Sequence, residues 1–355
     1  MIDFKTLFLN KTQNDRDNLN DICNYIKTGK SKIGILQKNP SLGIDDSFQV
    51  VACDGNKVIG SGFHFPTRLM INNDVVKSLS CSTLSVSEEY RKRGIGSSIH
   101  GARMLHSESG SIFIGSMSRM QYSIMQRLNA TVFFSARMLR LRHSVQALRL
   151  FLPHRIAFVI SLFIDFFLLL HVMILRLFAK IMGYSKYTFS RIKKADDAYN
   201  KIFDTDKHRY KECHDKRWMN WMLESNPDVS LYYIKKHDNI VGFVVLKDTY
   251  YETATRGLKN VRIRSIVEWE SVDDSLTDLK ICLFTSLLKG DYDVIEICNY
   301  NTASVRKLKG LGFIQVGQGN SVLRLSDDSP LLKYDGIKEA SNWRLRPAAG
   351  DNILF

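Results

Sequence analysis

The chain has 355 residues, a length that suits two domains of common size. Hydrophobic residues make up 45% and charged residues 24%, which excludes a disordered or fibrous chain. Fifty Lys and Arg against 36 Asp and Glu give a net charge of +14, an excess that suits phosphorylated cofactors, acidic lipids or nucleic acid.

In chain order, Phe48–Cys53, Lys57–Phe65 and Val75–Val86 alternate like strands, with a turn at Asp54-Gly55-Asn56. The stretch Arg91-Lys92-Arg93-Gly94-Ile95-Gly96-Ser97-Ser98 joins the third strand to a helix predicted from Gly94 to Ser107. A basic, glycine-spaced loop between strand and helix has the properties of a phosphate cradle. Glycines let a ligand approach the main chain, and the first N–H groups of a helix have no intrahelical acceptor. The loop lacks the third glycine of a dinucleotide fingerprint and the Gly-Lys-Ser/Thr of a nucleotide-binding P-loop. A strand follows at Ser111–Gly115, a helix at Met120–Leu128 and a strand at Thr131–Leu139.

Leu84 to Gly96 resembles the acetyl-CoA loop of the GNAT (GCN5-related) N-acetyltransferases, with Arg91, Gly94 and Gly96 on that family's three fixed positions. Ser118 to Ala130 resembles the family's last helix, with Ser118 in place of Asn and Asn129 in place of Gly. The resemblance implies acetyl-CoA as acyl donor. Leu84, Ser85 and Val86 would offer backbone groups to the pantetheine arm. Arg91, Lys92, Arg93, Gly94, Ile95, Gly96 and Ser97 would hold the diphosphate.

The second half repeats the order. Leu231–Lys236, Ile240–Asp248 and Val261–Glu270 read as strands around a turn at His237-Asp238-Asn239. A helix is predicted over Leu276–Lys289, a strand over Val294–Cys298 and a helix over Asn301–Gly310. Asn301 to Phe313 resembles the family's last-helix motif, but Ser271 to Leu276 has no basic Gly-x-Gly, and Asp273 and Asp274 would repel a diphosphate. The expected fold class is therefore α+β: two GNAT-like mixed-sheet domains flanked by helices and joined by a long hydrophobic helical connector. The expected divisions are an acyl-CoA-binding domain over 1–142, the connector over 143–185, a degenerate domain over 186–330 and a tail over 331–355. Trp218-Met219-Asn220-Trp221 with Asn226-Pro227, and Trp343 with Gly350-Asp351-Asn352, resemble features of tandem members from bacterial polysaccharide clusters.

In the connector, Ile156 to Leu175 carries Asp165 as its one formal charge. At 100° per residue, His154, Ser161, Asp165, Arg176 and Lys180 share one side, and Ile160, Phe163, Phe167, Leu170, Ile174 and Leu177 share another. Peripheral membrane contact through 154–180, packing between domains or in a homodimer, and membrane crossing all stay open at this stage. Met1 to Lys5 shows no signal-peptide core, so the expected location is cytoplasmic, with the inner membrane face as an option.

Cys23, Cys53, Cys81, Cys213, Cys282 and Cys298 form no C-x-x-C pair and no metal-ligand spacing with histidine, so no metal is expected. No nucleic-acid motif accompanies the positive charge, so no nucleic-acid partner is expected. The acceptor is expected to be a small amine. Many members of the family place a Glu on the fourth strand as base and a Tyr in the last helix as acid. Those places correspond to Ser80 and Met125, and no carboxylate lies between Val75 and Ser87. Candidate catalytic groups are therefore Glu268, Glu270, Cys81 and Tyr122, with His64 as another. Deprotonating a lysine-like amine at pH 7 costs roughly 4.6 kcal/mol, against about 1.4 kcal/mol for an amine of pKa near 8. A weakly basic amine such as an amino sugar or sugar nucleotide thus needs the least help. The rival readings are an acyl-CoA-binding scaffold or sensor without turnover, and acetylation of a peptide or aminoacyl amine.

Overall fold

A computed structural model describes residues 2–8, 38–41, 47–72, 74–114, 125, 130–149, 151–205, 210–252, 260–299 and 302–346. The first half contains β1 (Ile2–Phe8), β2 (Ser47–Asp54), β3 (Lys57–Ile71), β4 (Asp74–Val86), α1 (Ile95–Leu105), β5 (Ser111–Ile114) and β6 (Thr131–Leu141). A short helix α2 (Val145–Leu148) and the long α3 (His154–Ile181) lead to the second half. There β7 (Tyr187–Ile192), α4 (Asp197–Asp204), β8 (Tyr210–Glu212) and α5 (Lys216–Ser225) precede β9 (Val229–Lys236), β10 (Asn239–Tyr251) and β11 (Val261–Ser271). Helix α6 (Asp278–Thr285), β12 (Val294–Asn299), α7 (Thr302–Gly310), β13 (Ile314–Leu325) and β14 (Trp343–Arg344) complete the described chain. The α+β class expected from the sequence is the one observed.

The two halves share one sheet, ordered β1-β2-β3-β4-β5-β13-β6-β12-β11-β10-β9-β7. Their final strands cross over. β13 pairs antiparallel with β5 of the first half, while β6 pairs antiparallel with β12 of the second. β13 and β6 also pair with each other, so the halves are joined by continuous main-chain hydrogen bonds. A salt bridge between Arg137 of β6 and Glu296 of β12 adds a side-chain tie at this seam.

Sequence patterning gives β3 as 57–65 because Pro66 cannot donate to a ladder. The strand nevertheless runs to Ile71. On one edge it pairs with β2 from Lys57 to Phe63 and with β8 from Leu69 to Ile71, and Pro66 falls in the gap between these partners. The helix expected over 276–289 is α6, 278–285. It ends in tight turns in which the Leu287 and Leu288 N–H groups donate to the carbonyls of Phe284 and Thr285.

Shared cores hold the halves together. Phe63 and Phe65 of β3 pack with Tyr199 and Phe203 of α4, Trp218 and Trp221 of α5, and Phe243 of β10. Asp196 and Asp215 cap α4 and α5, accepting from the Ala198 and Trp218 N–H groups at 3.0 Å each. Leu331, Ile337, Trp343 and Leu345 pack with Leu69, Phe113 and Phe133, so the segment after β13 fills a core of the first half.

Candidate functional site

The first-half site begins where β4 leaves β5. Parallel pairing runs through Leu79–Ile112, Ser80–Phe113 and Cys81–Ile114, the last described residue of β5, and β4 continues to Val86. On its other edge β4 pairs with β3, Cys81 opposite His64 and Leu84 opposite Gly62, so β4 carries one extra residue between them. That bulge bends the strand away from its neighbour. Leu84, Ser85 and Val86 therefore lie on a splayed edge with no parallel partner strand among the described residues. An exposed strand edge offers main-chain donors and acceptors to an extended ligand.

The expected loop closes the end of this splay. Lys92 has φ 67° and Gly94 φ 79°, two left-handed residues that turn the chain from β4 into α1. The Ser98 N–H is the first to reach an intrahelical acceptor, the Gly94 carbonyl at 3.0 Å. The N–H groups of Ile95, Gly96 and Ser97 thus precede the helical ladder. Arg91, Lys92, Arg93, Gly94, Ser97 and Ser98 are exposed, whereas Ile95 and Ile99 are buried against Val50, Ala52 and Ile59. The apolar side of α1 fixes the helix, and its N-terminus faces outward. Arg91 is steadied by donation from Nε to the Val86 carbonyl at 3.2 Å. Tyr90 donates to Asp54 at 2.9 Å and lies under the Arg93 guanidinium, 5.1 Å from its ring centre.

At the far end of α1, Arg103 is fully buried over Gly62 and donates to the Phe63 carbonyl at 2.9 Å. Burial lowers its pKa, and the neighbouring Cys81 thiol partly offsets that shift. Sequence reasoning did not single out Arg103. The absence of a Cβ at Gly62 makes room for it, and the sequence gives no local sign of that pairing.

The candidate catalytic residues fall in separate places. Cys81 is buried on β4 at the last position paired to β5, and Ser80 beside it is fully buried. His64 is buried and hydrogen-bonded through Nε2 to Ser47 Oγ at 2.8 Å. Burial, with the charges of Arg103 and His106, holds its pKa well below the usual value. Tyr122 lies outside the described residues.

Glu268 sits in the second half's counterpart of the splay. β11 pairs with β12 only as far as Ile266, and it too carries an extra residue, between Ile266 and Glu268. Glu268 is thus the counterpart of Leu84, just past the bulge. It is 1% exposed and accepts from Arg344 at 3.2 Å, with His214 Nδ1 at 2.8 Å from its other oxygen. Burial alone would raise its pKa, but the His214 hydrogen bond and the Arg344 charge outweigh that and lower it. For His214, burial lowers the pKa, and the hydrogen bonds to Glu212 and Glu268 overcome this and raise it to about 9. Arg344 also reaches Glu270 at 2.7 Å. Glu268 is therefore an ion-paired carboxylate inside the protein, with both oxygens engaged.

The loop that follows β11 binds its own charge. Asp273 accepts from Lys236 at 2.7 Å and from the Tyr187 hydroxyl at 3.0 Å, and these bonds hold its pKa far below the usual value against the effect of burial. Among the described residues, the first-half splay combines a strand edge without a parallel partner with a basic helix N-terminus, and the second-half splay does not. Among the described residues no group of His, Cys, Asp and Glu is arranged to hold a metal ion.

No family model and no curated protein sequence matches the chain. Solved structures do match. A GCN5-related N-acetyltransferase from Anabaena variabilis superposes with TM-score 0.56 at 11% identity, over 92% of this chain and 73% of that one. Eis1 from Mycobacterium abscessus gives TM-score 0.51 at 14% identity, over 92% and 73%. N-myristoyltransferase from Saccharomyces cerevisiae with bound myristoyl-CoA gives 0.53 at 10% identity, over 91% and 82%. At such low identities the likeness is one of fold, and it extends over both halves. The chain has the fold of the GCN5-related N-acetyltransferases.

Proposed function

We propose that this protein is a tandem GNAT-type acyltransferase that moves an acyl group from acyl-CoA, acetyl-CoA in the simplest case, to a small amine. The observation that carries this reading is the β4 edge at Leu84–Val86, without a parallel partner among the described residues, ending in the basic loop Arg91–Ser97 and the N-terminus of α1. The pantetheine arm would pair along that edge, and the diphosphate would meet the N–H groups of 95–97 with Arg91, Lys92 and Arg93 around it. The second half would complete the acceptor groove, since Phe63 and Phe65 on the strand next to β4 already pack against its helices.

The amine would attack the thioester carbonyl directly. The new C–N bond forms as the C–S bond breaks, CoA leaves as thiolate, and the amine proton passes to solvent or to the departing sulfur. Positioning and oriented donors supply the acceleration. With Ser80 in the expected place of the base and Glu268 ion-paired, an acceptor already part neutral at pH 7 suits the site best. Amino sugars and sugar nucleotides for surface polysaccharide have this property, and the likeness of Trp218–Trp221 to tandem polysaccharide-cluster members agrees with it.

The same two observations favour a second reading, an acyl-CoA-binding scaffold without turnover. Release of free thiol from acetyl-CoA in the presence of glucosamine-type amines separates the two. Amine-dependent release supports the enzyme. Ligand-induced stabilisation of about 2.7 kcal/mol at roughly 100 times Kd without thiol release supports the scaffold. Neither response overturns both readings.

A further inference from the structure

We propose that the outward face of α3 docks in the plane of an anionic lipid bilayer. The inference does not depend on the acyl-CoA reading. α3 has 28 residues, about 42 Å of helix, and it is the helix among the described residues long and apolar enough to cross a membrane. It is held to the protein along a narrow line instead. Ala157, Ser161, Leu175 and Ala179 are buried, Asp165 accepts from the Ser144 N–H at 2.7 Å, and His171 lies 3.4 Å from the Leu311 carbonyl oxygen.

These contacts run from the first turn to the last, and both ends return to the same sheet through β6 and β7. Crossing a bilayer would strip that whole line of contacts. Of the polar line, Ser161 and Asp165 face the protein while His154, Arg176 and Lys180 are exposed, and the broad apolar face is presented outward: Phe163 is 70% exposed, Phe167 64%, Ile174 56% and Leu177 63%. Single exposed apolar side chains are ordinary, whereas a contiguous face of this length marks an interaction surface.

Charge selects the occupant. From Ser144 to Ala195 the sole acid is Asp165, which faces the protein, while Arg149, Arg155, Arg176, Lys180, Lys186 and Arg191 are exposed at or beyond the two ends of α3. A second copy laid on this face, parallel or antiparallel, would bring basic end against basic end with no carboxylate to answer. Anionic headgroups flanking a shallow apolar layer answer both features at once, with the long basic side chains reaching up to phosphates.

The test is co-flotation of the full chain with phosphatidylcholine vesicles containing phosphatidylglycerol, against phosphatidylcholine alone. The expected result is flotation with the anionic vesicles, weakened by salt. Arg155→Glu with Lys180→Glu should lower it by about tenfold or more. Phe163→Ser with Phe167→Ser should abolish it. These sites are exposed, so circular dichroism should show all variants folded. The proposal is overturned if the wild type stays at the bottom of the gradient with anionic vesicles. It is equally overturned if the Phe variants only dissociate a dimer, or if the bound protein resists alkaline carbonate as a crossing helix does.

Discussion

Arg344 donates to the main-chain carbonyl of Trp269 at 2.7 Å, in the stretch of β11 that has left β12. Its guanidinium also binds Glu268 at 3.2 Å and Glu270 at 2.7 Å. The second half's splay is therefore occupied by a side chain from the end of the described chain, while at its first-half counterpart the exposed Arg91 donates to the Val86 carbonyl at 3.2 Å, and Leu84–Val86 have no parallel partner strand among the described residues. Arg344 is buried between Glu268 and Glu270, whereas Arg91 is exposed at the start of its loop.

Removing Arg344 takes a cation from Glu268 and Glu270 and leaves His214 as the positive partner of Glu268. Arg344→Met should cost about 3–5 kcal/mol of stability. Arg344→Met combined with Glu268→Gln should recover part of that loss, because one of the two carboxylates that lost Arg344 is then neutral. Urea unfolding of the two single variants and the double variant measures the coupling. Strictly additive losses would show that the pair does not interact.

His214 gives a pH dependence of defined sign. Its folded pKa is raised to about 9 from an ordinary 6.5, so its stabilising contribution is complete below 6.5 and fades as pH rises through about 9. Thermal unfolding of the wild type should fall between about pH 7 and about pH 10 more steeply than that of His214→Gln, whose side chain does not titrate. Parallel curves for the two proteins would place the proton elsewhere.

Gly62 and Gly96 should respond in opposite ways. A Cβ at Gly62 would collide with the Arg103 guanidinium and come within 2.5 Å of Ile99 Cγ2. Gly62→Ala should therefore cost about 1–3 kcal/mol, read as a lower urea midpoint. At Gly96 the nearest atom to a new Cβ is Leu84 Cδ2 at 3.4 Å, an ordinary contact. Gly96→Ala sits inside α1 and should leave stability unchanged or raise it by up to about 1 kcal/mol. It should weaken CoA binding all the same, since the methyl group occupies the ligand's path to the main chain.

The sequence was readable where a local rule decides the outcome. The strands 48–53 and 75–86, the loop at 91–98 and the order of the described elements follow from alternation, glycine spacing and a basic run, while the helix expected over 120–128 falls almost wholly outside the described residues. What stayed hidden depends on distant partners. Pro66 reads as the end of β3 until β8 arrives from 140 residues away in the chain to take up the edge. The crossing of β6 and β13 between halves leaves no local trace, since either strand shows the same alternation in its own sheet. Glu268 looks like an available base on a strand face, yet His214 and Arg344, far apart in sequence, enclose it. The polar line of α3 was legible from periodicity, but the inward turn of Ser161 and Asp165 was not, because the wide apolar face would ordinarily be expected against a core.

The central claim is that the Arg91–Ser97 loop and the Leu84–Val86 edge hold a CoA thioester. Isothermal titration of acetyl-CoA and of longer acyl-CoAs into the folded wild type, beside Arg91→Gln and Gly96→Ala, tests it most directly. The account predicts one site per chain, binding that weakens as salt rises, and affinity reduced in both variants with unfolding midpoints preserved. Absence of heat with every acyl-CoA, or identical isotherms for all three proteins, would contradict it.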